Sequence, residues 1–567
     1  MSMVLELSDS RRLTGPNLLM DRAGAVVDVA IEGVPVETVS AAWAAQARRL
    51  LEAVGWGGEA TYTRSFRGGA SLALSAPIDA LYAATEVNEA AWERAVAALM
   101  GETPNDEEAA VARLKTLIED ERNPALLRLR AAARQHGVGF LADDEHVSAG
   151  LGAGAVVWPA DALPDPAEVD WNAASDIPVA LITGTNGKST TVRLLAAIVE
   201  AAGKTAGLTS TDFIRVGDTI LDRGDYSGPG GARTLLRDRR VEVGLLEVAR
   251  GGILRRGLAL DHAGAALITN VAEDHLGEYG INTLDELIQA KSVVRRVLGS
   301  NGVLVLNADD IGLVAHAGTM NATLCWFSLD AQSPVVRAHQ AAGGRVCFVD
   351  DGRIVYAEGT KHEIVAAVDA LPITLGGAAR HNVANSLGAV GLAKALGLAT
   401  HAITEGLHTF RSDAADNPGR GNLFTVDGAT VLVDFAHNPH GLAAIIDTVR
   451  RLPAHRRLVM LGQAGDRSDD DIRNLAHAAW QIHPDHIVIM ALEDYRRGRP
   501  EGEVPALLHN TFLRLGAVEG HITHTATCLD GVKAALAWAA PGDVLLLLVL
   551  TQREAVFRLL EEAQTAA

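Results

Sequence analysis

The sequence predicts an α/β protein in three parts: an N-terminal α+β module (residues 1–170), a central parallel-sheet domain of the P-loop type (171–415) and a C-terminal doubly wound, Rossmann-like domain (416–567). Apolar runs of strand length alternate with amphipathic runs of helix length through the last two parts. Residues 178–183 (PVALIT) lead into a glycine turn and then an amphipathic helix. The apolar run 544–550 (VLLLLVL) is too short to cross a bilayer and suits a buried parallel strand.

The N-terminal module mixes both kinds of element. Residues 25–31 and 70–74 have the pattern of strands, and residues 41–53 and 107–120 that of helices. The proline-rich stretch 158–167 (WPADALPDPA) predicts a linker to the central domain.

The two larger domains are predicted as parallel sheets covered on both faces by helices. In the central domain the predicted strands are 178–183, 241–248, 264–270 and 302–307, followed by a β-rich insert at about 321–376. In the C-terminal domain they are 429–435, 457–461, 487–491 and 543–550.

Composition narrows the classes of partner. The 567 residues carry a formal net charge of −20, which argues against a nucleic-acid partner because no basic field would gather phosphates. Three widely spaced cysteines, Cys325, Cys347 and Cys528, argue against a disulfide framework or a zinc site. The start, MSMVLELSDSRR, lacks an apolar core flanked by basic residues, so we expect a cytoplasmic protein with neither a secretory signal nor a membrane partner.

The turn GTNGKST (residues 184–190) has the pattern of a phosphate-binding loop. A strand, a glycine turn and a helix N-terminus aim free N–H groups and a positive dipole end at one point. Lys188 adds a point charge, and the Ser189 hydroxyl beside it can bind Mg²⁺. The alternative is an ordinary strand–helix turn with a surface lysine. The loop is shorter than the common G-x-x-x-x-G-K-[ST] motif, since Ile182 stands where the first glycine would fall.

Further candidates follow the ends of predicted strands, where ligands bind parallel sheets. Glu247 ends VEVGLLE, and His275 comes just after GAALITN; Glu242, at the start of its strand, is a weaker candidate. Lys291 lies in a predicted helix. The plainer interpretations are that His275 is a solvated loop histidine and that Lys291 is a surface lysine. A carboxylate, an imidazole and a hydroxyl nevertheless form a reasonable Mg²⁺ set beside a triphosphate.

The second half of the chain adds five candidates. Asn382 and Asn385 share one helix face and could contact an adenine edge, with helix capping as the alternative. Arg420 lies in PGRG, and Asp434 ends the strand ATVLVD, three residues before His437.

Taken together, these motifs resemble the Mur ligases, ATP-dependent enzymes that join a carboxylate to an amine. The resemblance covers residues 175–567 and rests on ordered motifs: TGTNGKST, a strand-end Glu before ARGG, NVAEDHLG, HNVANSL, PGRG and DFAHNPHG. The details of STD (210–212), GDYSGP (224–229) and LEVARGGIL (246–254) are most similar to the C-terminal ligase half of cyanophycin synthetases. RRLTGPN (11–17) is similar to the start of their N-terminal module.

The sequence also departs from those synthetases. They carry an ATP-grasp domain between the N-terminal module and the Mur-like half, and too few residues lie between Gly15 and Gly184 for it here. The resemblance therefore implies a relative with one active site. Gly421 after Arg420 replaces a bulkier residue expected there, which could alter the local loop.

The resemblance implies ATP and Mg²⁺ as cofactors and a role for each candidate. Lys188 would stabilise the transferring γ-phosphate, Ser189 and Glu247 would hold one Mg²⁺, and His275 and a carbamylated Lys291 a second. The phosphate loop would cradle the phosphates through Gly184, Thr185, Asn186, Gly187, Lys188, Ser189 and Thr190. The remaining nucleotide contacts would come from Asn382, Asn385, Arg420 and Asp434, with His437 on the phosphate side.

The implied reaction is an ADP-forming amide ligation through an acyl phosphate. The expected substrates are an amino acid, a dipeptide or the end of a cyanophycin-like chain. The alternatives are a ligase for another peptide or a folate-like substrate, and a nucleotide-binding partner protein with a decayed ligase site. Arg64 and Arg67 are the N-terminal candidates for holding an anionic chain, and the resemblance implies a homo-oligomer, possibly a dimer.

Overall fold

The computed structural model describes residues 3–274 and 276–566, and its N-terminal part is a four-stranded antiparallel sheet in the order β1-β2-β4-β3. Helices α1 and α2 cover one face of this sheet around the buried Trp43, whose indole N–H donates to Asn88 Oδ1 (2.9 Å). The elements up to this point are β1 (Val4–Leu13), β2 (Gly24–Glu32), α1 (Val36–Ala53), β3 (Thr61–Phe66), β4 (Gly69–Ser75) and α2 (Leu81–Met100).

A small three-stranded antiparallel sheet leads to the central domain. Helices α3 (Glu107–Glu121) and α4 (Pro124–Gln135) come before this sheet. Its strands are β5 (Phe140–Ala142), β6 (His146–Ala149) and β7 (Val156–Pro159). The predicted linker therefore starts inside a strand, because Trp158 pairs with Val147 of β6. Proline occupies the last position of β7, where a missing N–H costs little.

The central domain is organised around an eleven-stranded sheet in the order β11-β10-β9-β12-β8-β13-β14-β15-β16-β17-β18. Strands β9, β12, β8, β13, β14, β15 and β16 are parallel to their neighbours in that run, and two hairpins extend the sheet at its ends. The first elements are β8 (Val179–Thr183), α5 (Lys188–Ala201), β9 (Ala206–Thr209), β10 (Phe213–Val216), β11 (Thr219–Arg223), α6 (Pro229–Leu236), β12 (Val243–Glu247) and α7 (Arg250–Arg256).

The β-rich segment predicted as an insert is a continuation of this same sheet. Strand β15 pairs in parallel with β14, so the hydrogen-bonding edge is never interrupted. The remaining central elements are β13 (Ala263–Ile268), α8 (Leu284–Lys291), β14 (Leu298–Asn307), α9 (Ile311–His316), β15 (Thr323–Ser328), α10 (Pro334–Ala341), β16 (Arg345–Asp350), β17 (Arg353–Glu358), β18 (Lys361–Ala367), α11 (Arg380–Ala395) and α12 (Thr400–Thr409).

Apolar cores lie on both faces of the central sheet, as the near-continuous apolar strands predict. Helices α6, α7 and α8 pack on one face around Leu235 and Ile253, and α5, α11 and α12 pack on the other around Leu194 and Leu387. The carboxyl ends of β8, β12 and β13 consequently lie side by side at one edge.

The C-terminal domain is a six-stranded sheet in the order β19-β20-β24-β21-β22-β23, parallel except for the edge strand β19. Helices cover both faces, so the doubly wound prediction is confirmed. Its elements are β19 (Arg420–Val426), β20 (Ala429–Asp434), α13 (Pro439–Arg451), β21 (Arg457–Leu461), α14 (Asp469–Trp480), β22 (His486–Met490), α15 (Glu503–Leu515), β23 (Ile522–Thr525), α16 (Cys528–Trp538), β24 (Val544–Leu548) and α17 (Arg553–Ala566). Among the described residues, no helix combines the length and the apolar character that a membrane crossing requires.

Candidate active site

The predicted phosphate loop joins the buried strand β8 to helix α5. Gly187 is the residue before the helix and has φ +89°, a left-handed conformation that glycine adopts without strain. A Cβ at this position would overlap with the carboxamide of Asn385. The close approach of α11 therefore requires glycine here.

Two lysines meet at one carbonyl of this loop. Lys188 Nζ donates to Gly184 O (3.2 Å) and to Thr185 O (3.0 Å), and Lys291 Nζ donates to the same Gly184 O (2.8 Å). Lys291 is 4% exposed. Helix α8 brings it there from the end of its last turn, so the surface-lysine interpretation is wrong.

The surroundings disfavour the charged form of both amines. Burial lowers the pKa of Lys188, although Glu247 opposes the shift, and Arg420 lowers it further. Burial also lowers the pKa of Lys291 well below 10.5, and the neighbouring Lys188 adds to the effect. A bound anion would favour the charged forms of these two amines, so the region is suited to bind one.

Glu247 is the carboxylate of the cluster and has an unused oxygen. It is 2% exposed at the end of β12, and its Oε2 accepts from the Thr211 N–H (3.4 Å). Its Oε1 is buried and lacks a hydrogen-bond partner among the described residues. Thr211 Oγ1 also lies 3.4 Å from Ser189 Oγ. The Ser189 hydroxyl and the Glu247 carboxylate therefore both contact Thr211.

The two asparagines of α11 are buried beside the loop. Asn382 Nδ2 donates to Ile373 O (3.0 Å), and its Oδ1 accepts from Asn385 Nδ2 (3.1 Å). The helix starts after Ala379 without a side-chain cap, so capping by these residues is excluded. Asn385 lies against Gly187, whereas the Asn382 carboxamide is used within the protein.

The phosphate loop also contacts the C-terminal domain. Asn186 exchanges hydrogen bonds with Asn438, donating to Asn438 Oδ1 (3.3 Å) and accepting from Asn438 Nδ2 (3.1 Å). Asn186 Nδ2 additionally donates to His440 Nδ1 (2.9 Å). Asn438 Oδ1 caps α13 by accepting from the Gly441 N–H (2.8 Å). The amide pair therefore fixes the start of α13 against the loop.

Three predicted residues of the C-terminal domain lie close together. Arg420 pairs across the strands with Asp434, and its guanidinium carbon lies 4.8 Å from the centre of the Phe435 ring. The Nε of Arg420 is buried and has no partner among the described residues. His437 Nδ1 donates to Phe435 O (3.0 Å), and burial lowers the pKa of His437. Neutral His437 then presents Nε2 as an acceptor.

One predicted residue, His275, lies outside the described residues. Thr190, another predicted residue, contacts Asn417. Thr190 Oγ1 lies 3.3 Å from Asn417 Nδ2, beside the connection between the two domains. Within residues 3–274 and 276–566, no three His, Cys, Asp or Glu side chains converge as a metal cluster. A divalent cation beside the phosphate loop would therefore take further ligands from phosphate oxygens and water, which is usual for Mg²⁺.

Comparison with known protein families identifies the two larger domains. Residues 182–393 match the Mur ligase middle domain, and residues 419–548 match the Mur ligase, glutamate ligase domain; together these are more than half of the chain. The chain belongs to the Mur ligase family. Residues 1–181 lie outside both matches.

Relatives of this Mur ligase family member include two kinds of enzyme. It is 40% identical to the cyanophycin synthetase of Synechocystis sp. over 334 residues, which are 59% of this chain and 38% of that protein. It is 27% identical to the UDP-N-acetylmuramoyl-L-alanyl-D-glutamate–2,6-diaminopimelate ligase of Bacillus velezensis over 379 residues, 65% of this chain and 71% of that one. The chain thus spans well under half the length of the cyanophycin synthetase.

A solved structure was also found to be similar. E. coli FolC in complex with DHPP and ADP is 20% identical, with a TM-score of 0.49 over 69% of this chain and 89% of that one.

A partly buried ion-pair network, which the sequence did not single out, ties the two domains of this Mur ligase family member together. Asp212 accepts hydrogen bonds from Arg193 of α5 and from Arg553 Nη2 of α17 (2.9 Å). Arg193 Nη1 also donates to Asn417 Oδ1 (3.1 Å), and Arg553 Nη1 donates to Pro418 O (3.2 Å). The network therefore holds the stretch that leads into Arg420. Asp212 stands in the STD motif, but only the fold shows its partners.

Replacing Asp212 with asparagine should destabilise the fold. Burial raises the pKa of Asp212, but Arg193 and Arg553 oppose this shift and hold the pKa below 3.8. Such a carboxylate stabilises the folded state above pH 3.8 and loses this contribution as the pH falls through its folded-state pKa. We expect Asp212→Asn to lower the free energy of unfolding by about 2–3 kcal/mol at pH 7 in urea titrations. The exposed Asp218→Asn should change it little, and an equal loss in both variants would contradict the assignment.

Asp434 should show the opposite pH dependence. Burial raises its pKa to about 6, although Arg420 and the Ala436 N–H oppose the shift. Between pH 3.8 and 6 the folded state keeps a proton that the unfolded chain has lost, so the contribution of Asp434 to stability falls as the pH rises. At pH 8 the ionised carboxylate should cost about 2–3 kcal/mol.

Asp434→Asn is accordingly expected to be more stable than the parent at pH 8, and the gain should shrink at pH 5. Urea unfolding at the two pH values measures this difference, with the exposed Asp427→Asn as the control. A gain of the same size at both pH values would show that ionisation of Asp434 is not its cause.

Proposed function

We propose that the protein is an ATP-dependent, ADP-forming carboxylate–amine ligase. The observation that carries this proposal is the meeting of Lys188 and Lys291 at the Gly184 carbonyl of a phosphate loop, next to the buried, unsatisfied Oε1 of Glu247. The membership in the Mur ligase family supports it.

The residues present fit a magnesium nucleotide. An unpaired, buried carboxylate oxygen is costly unless it meets a cation, and Glu247 Oε1 has this character. Both the Glu247 carboxylate and the Ser189 hydroxyl lie against Thr211. The buried Nε of Arg420 is a matching unpaired donor for a phosphate oxygen. Mg²⁺, when bound by Ser189 and Glu247, would neutralise the charge of the phosphates.

The proposed chemistry divides into two steps. An oxygen of the substrate carboxylate attacks the γ-phosphorus of ATP; a P–O bond forms, the bond to the β-phosphate oxygen breaks, and ADP leaves. The amine nitrogen then attacks the acyl carbon, loses a proton, and inorganic phosphate leaves. Lys188 and Arg420 stabilise the phosphate charge, and the Asn186–Asn438 contact holds the two domains closed around it, which excludes water.

A lowered pKa also explains how Lys291 could become a metal ligand. A neutral amine attacks carbon dioxide, whereas an ammonium does not, and burial keeps the Lys291 pKa well below 10.5. The resulting carbamate is an anion whose N–H can still donate to Gly184 O. We propose that carbamylated Lys291 carries the negative charge that a second Mg²⁺ would require, together with His275.

The proposed substrates are an amino acid, a dipeptide or a cyanophycin-like chain end, with ATP and Mg²⁺. A peptide or folate-like substrate is the alternative, and a nucleotide-binding protein with a decayed site is the other class. The buried Glu247, Lys291 and Asp434, together with the half-buried Lys188 and Arg420, speak against decay. The cytoplasmic location and the homo-oligomer, possibly a dimer, stay predictions.

Phosphate release over a matrix of acids and amines tests the proposal. The acids are aspartate, β-aspartyl-arginine and short cyanophycin primers; the amines are arginine, lysine and the dipeptide. We expect release that requires one acid, one amine and ATP together, with the ligated product found by mass spectrometry.

Lys188→Ala is the control in every condition of this matrix. Release that ignores the added acid and amine, or that persists in Lys188→Ala, would overturn the ligase proposal. ATP binding without any release would favour the nucleotide-binding partner.

A further inference from the structure

The N-terminal sheet contacts the loop that leaves β13, although it lies outside the residues matched to the Mur ligase domains. This exit loop comprises residues 270–274 and 276–282 and connects β13 to α8. The contact comes from the hairpin of β3 and β4. Arg64, in β3, donates from Nη2 to Gly280 O (2.8 Å) and forms an ion pair with Glu286 Oε1 (3.2 Å).

The same hairpin also fills the space beside the loop. Gly280 has φ +65°, and a Cβ there would overlap with the ring of Phe66, which follows Arg64 on the same face of β3. In β1, the Arg11 guanidinium lies 4.9 Å from the centre of the Tyr279 ring and donates to Leu254 O (3.0 Å). The end of the exit loop is thus held by side chains of the N-terminal sheet.

Through Glu286, the contact of Arg64 extends to the helix that carries Lys291. Glu286 Oε2 accepts from the N–H groups of Asn282 (2.7 Å) and Thr283 (3.0 Å), and Thr283 in turn caps the helix. Helix α8 is only eight residues long, so the position of its first turn determines the position of Lys291 at its end.

The start of the exit loop is held by the phosphate loop and the C-terminal domain. Thr185 Oγ1 donates to Ala272 O (3.1 Å) and accepts from the Ala272 N–H (3.0 Å). Asp274 Oδ1 pairs with Arg467 Nη1 of the C-terminal domain (3.2 Å). All three parts of the chain therefore meet on this one loop, and Arg64 supplies the hydrogen bond and the ion pair from the N-terminal sheet.

We propose that Arg64 is a positioning residue, through which the N-terminal module holds the exit loop and α8 so that Lys291 stays at the phosphate loop. The effect of Arg64 on the rate of catalysis rests on the proposed ligase function. Its hold on the exit loop and on α8 does not. The nucleotide contacts proposed above come from other elements, so the loss of Arg64 should reduce the rate of chemistry more than ATP binding.

Hydrogen exchange followed by mass spectrometry on the full-length protein tests the structural part. In Arg64→Ala, amides of the segment 276–291 should exchange at least about tenfold faster than in the parent, because a charged donor to Gly280 O and the partner of Glu286 are both lost. Exchange in β8 and α5 should stay unchanged. Arg67→Ala, an exposed arginine of the same hairpin, is the matched control, and Arg64→Lys should restore part of the protection.

A second pair of variants tests the contact without removing a charge. Gly280→Ala should speed exchange in the same segment because its methyl group meets Phe66, and adding Phe66→Ala should reverse part of that change. Unchanged exchange in Arg64→Ala, or an equal increase in Arg67→Ala, would overturn the proposal. So would a Gly280→Ala effect that Phe66→Ala makes larger.

Steady-state kinetics with the acid–amine pair found above tests the catalytic part. We expect kcat of Arg64→Ala to fall about 10- to 100-fold, while KM for ATP changes by less than about threefold. A rise in KM with unchanged kcat would overturn the positioning role. If the parent protein releases no phosphate with any pair, the ligase proposal fails, and the exchange data still decide whether Arg64 holds the loop.

Discussion

Replacing Lys188 with alanine is expected to lower ATP-dependent phosphate release about 100- to 1,000-fold, the range found when one preorganised charge-stabilising donor is removed. The half-buried amine donates to the Gly184 and Thr185 carbonyls, where it would meet the transferring phosphate. Initial rates with a saturating acid–amine pair measure the effect.

The same substitution should leave the folded state at least as stable as the parent. Burial and Arg420 disfavour the charge on Lys188, and Lys291 donates to the same carbonyl, so removing one amine relieves repulsion. Thermal unfolding without nucleotide measures this, and Lys204→Ala, an exposed lysine beyond the end of α5, is the control. A rate within about threefold of the parent would contradict the role of Lys188.

Replacing Lys291 with methionine should also abolish most of the activity while raising stability at neutral pH. Its folded-state pKa lies well below 10.5, so in the window between the two the unfolded chain binds a proton that the folded state lacks. The free energy of unfolding of the parent should therefore rise by about 1.4 kcal/mol per pH unit through this window, and the cost disappears above 10.5. Lys291→Met should lack this pH-dependent contribution to the free energy of unfolding.

Urea unfolding of parent and Lys291→Met at pH 7 and pH 9.5, in buffer freed of carbon dioxide, measures the difference between their slopes. Lys361→Met, an exposed lysine in β18, should keep the slope of the parent. In ¹³C-bicarbonate, an NMR carbamate signal is expected from the parent and should be missing from Lys291→Met. Equal slopes for the parent and Lys291→Met would contradict the buried-amine assignment, and a signal of equal strength would contradict carbamylation at Lys291.

The local pattern was enough for residues whose role depends on where a strand ends. Glu247 and Asp434 end apolar strands, and the structure places both at the carboxyl ends of β12 and β20. The phosphate loop was predictable for the same reason, because strand, glycine turn and helix follow one another along the chain.

Residues that work through distant partners could not be placed in this way. The sequence suggested helix capping or a nucleotide contact for Asn382. The structure excludes capping and shows its carboxamide bound by Ile373 and Asn385, and the nucleotide contact stays a prediction. The β-rich segment was predicted as an insert, and only the pairing of β14 with β15 shows that the sheet continues.

The sequence by itself determined the α/β class, the phosphate loop and the resemblance to the Mur ligases, because each depends on neighbouring residues and their spacing. The tertiary structure alone decided which distant groups share a buried environment: the two lysines at Gly184 O, Asp212 between Arg193 and Arg553, and Arg64 against Gly280. Shifts in pKa and the cost of an unpaired polar atom depend on burial and on charges in contact. These contacts join residues far apart in the chain, and folding alone brings them together.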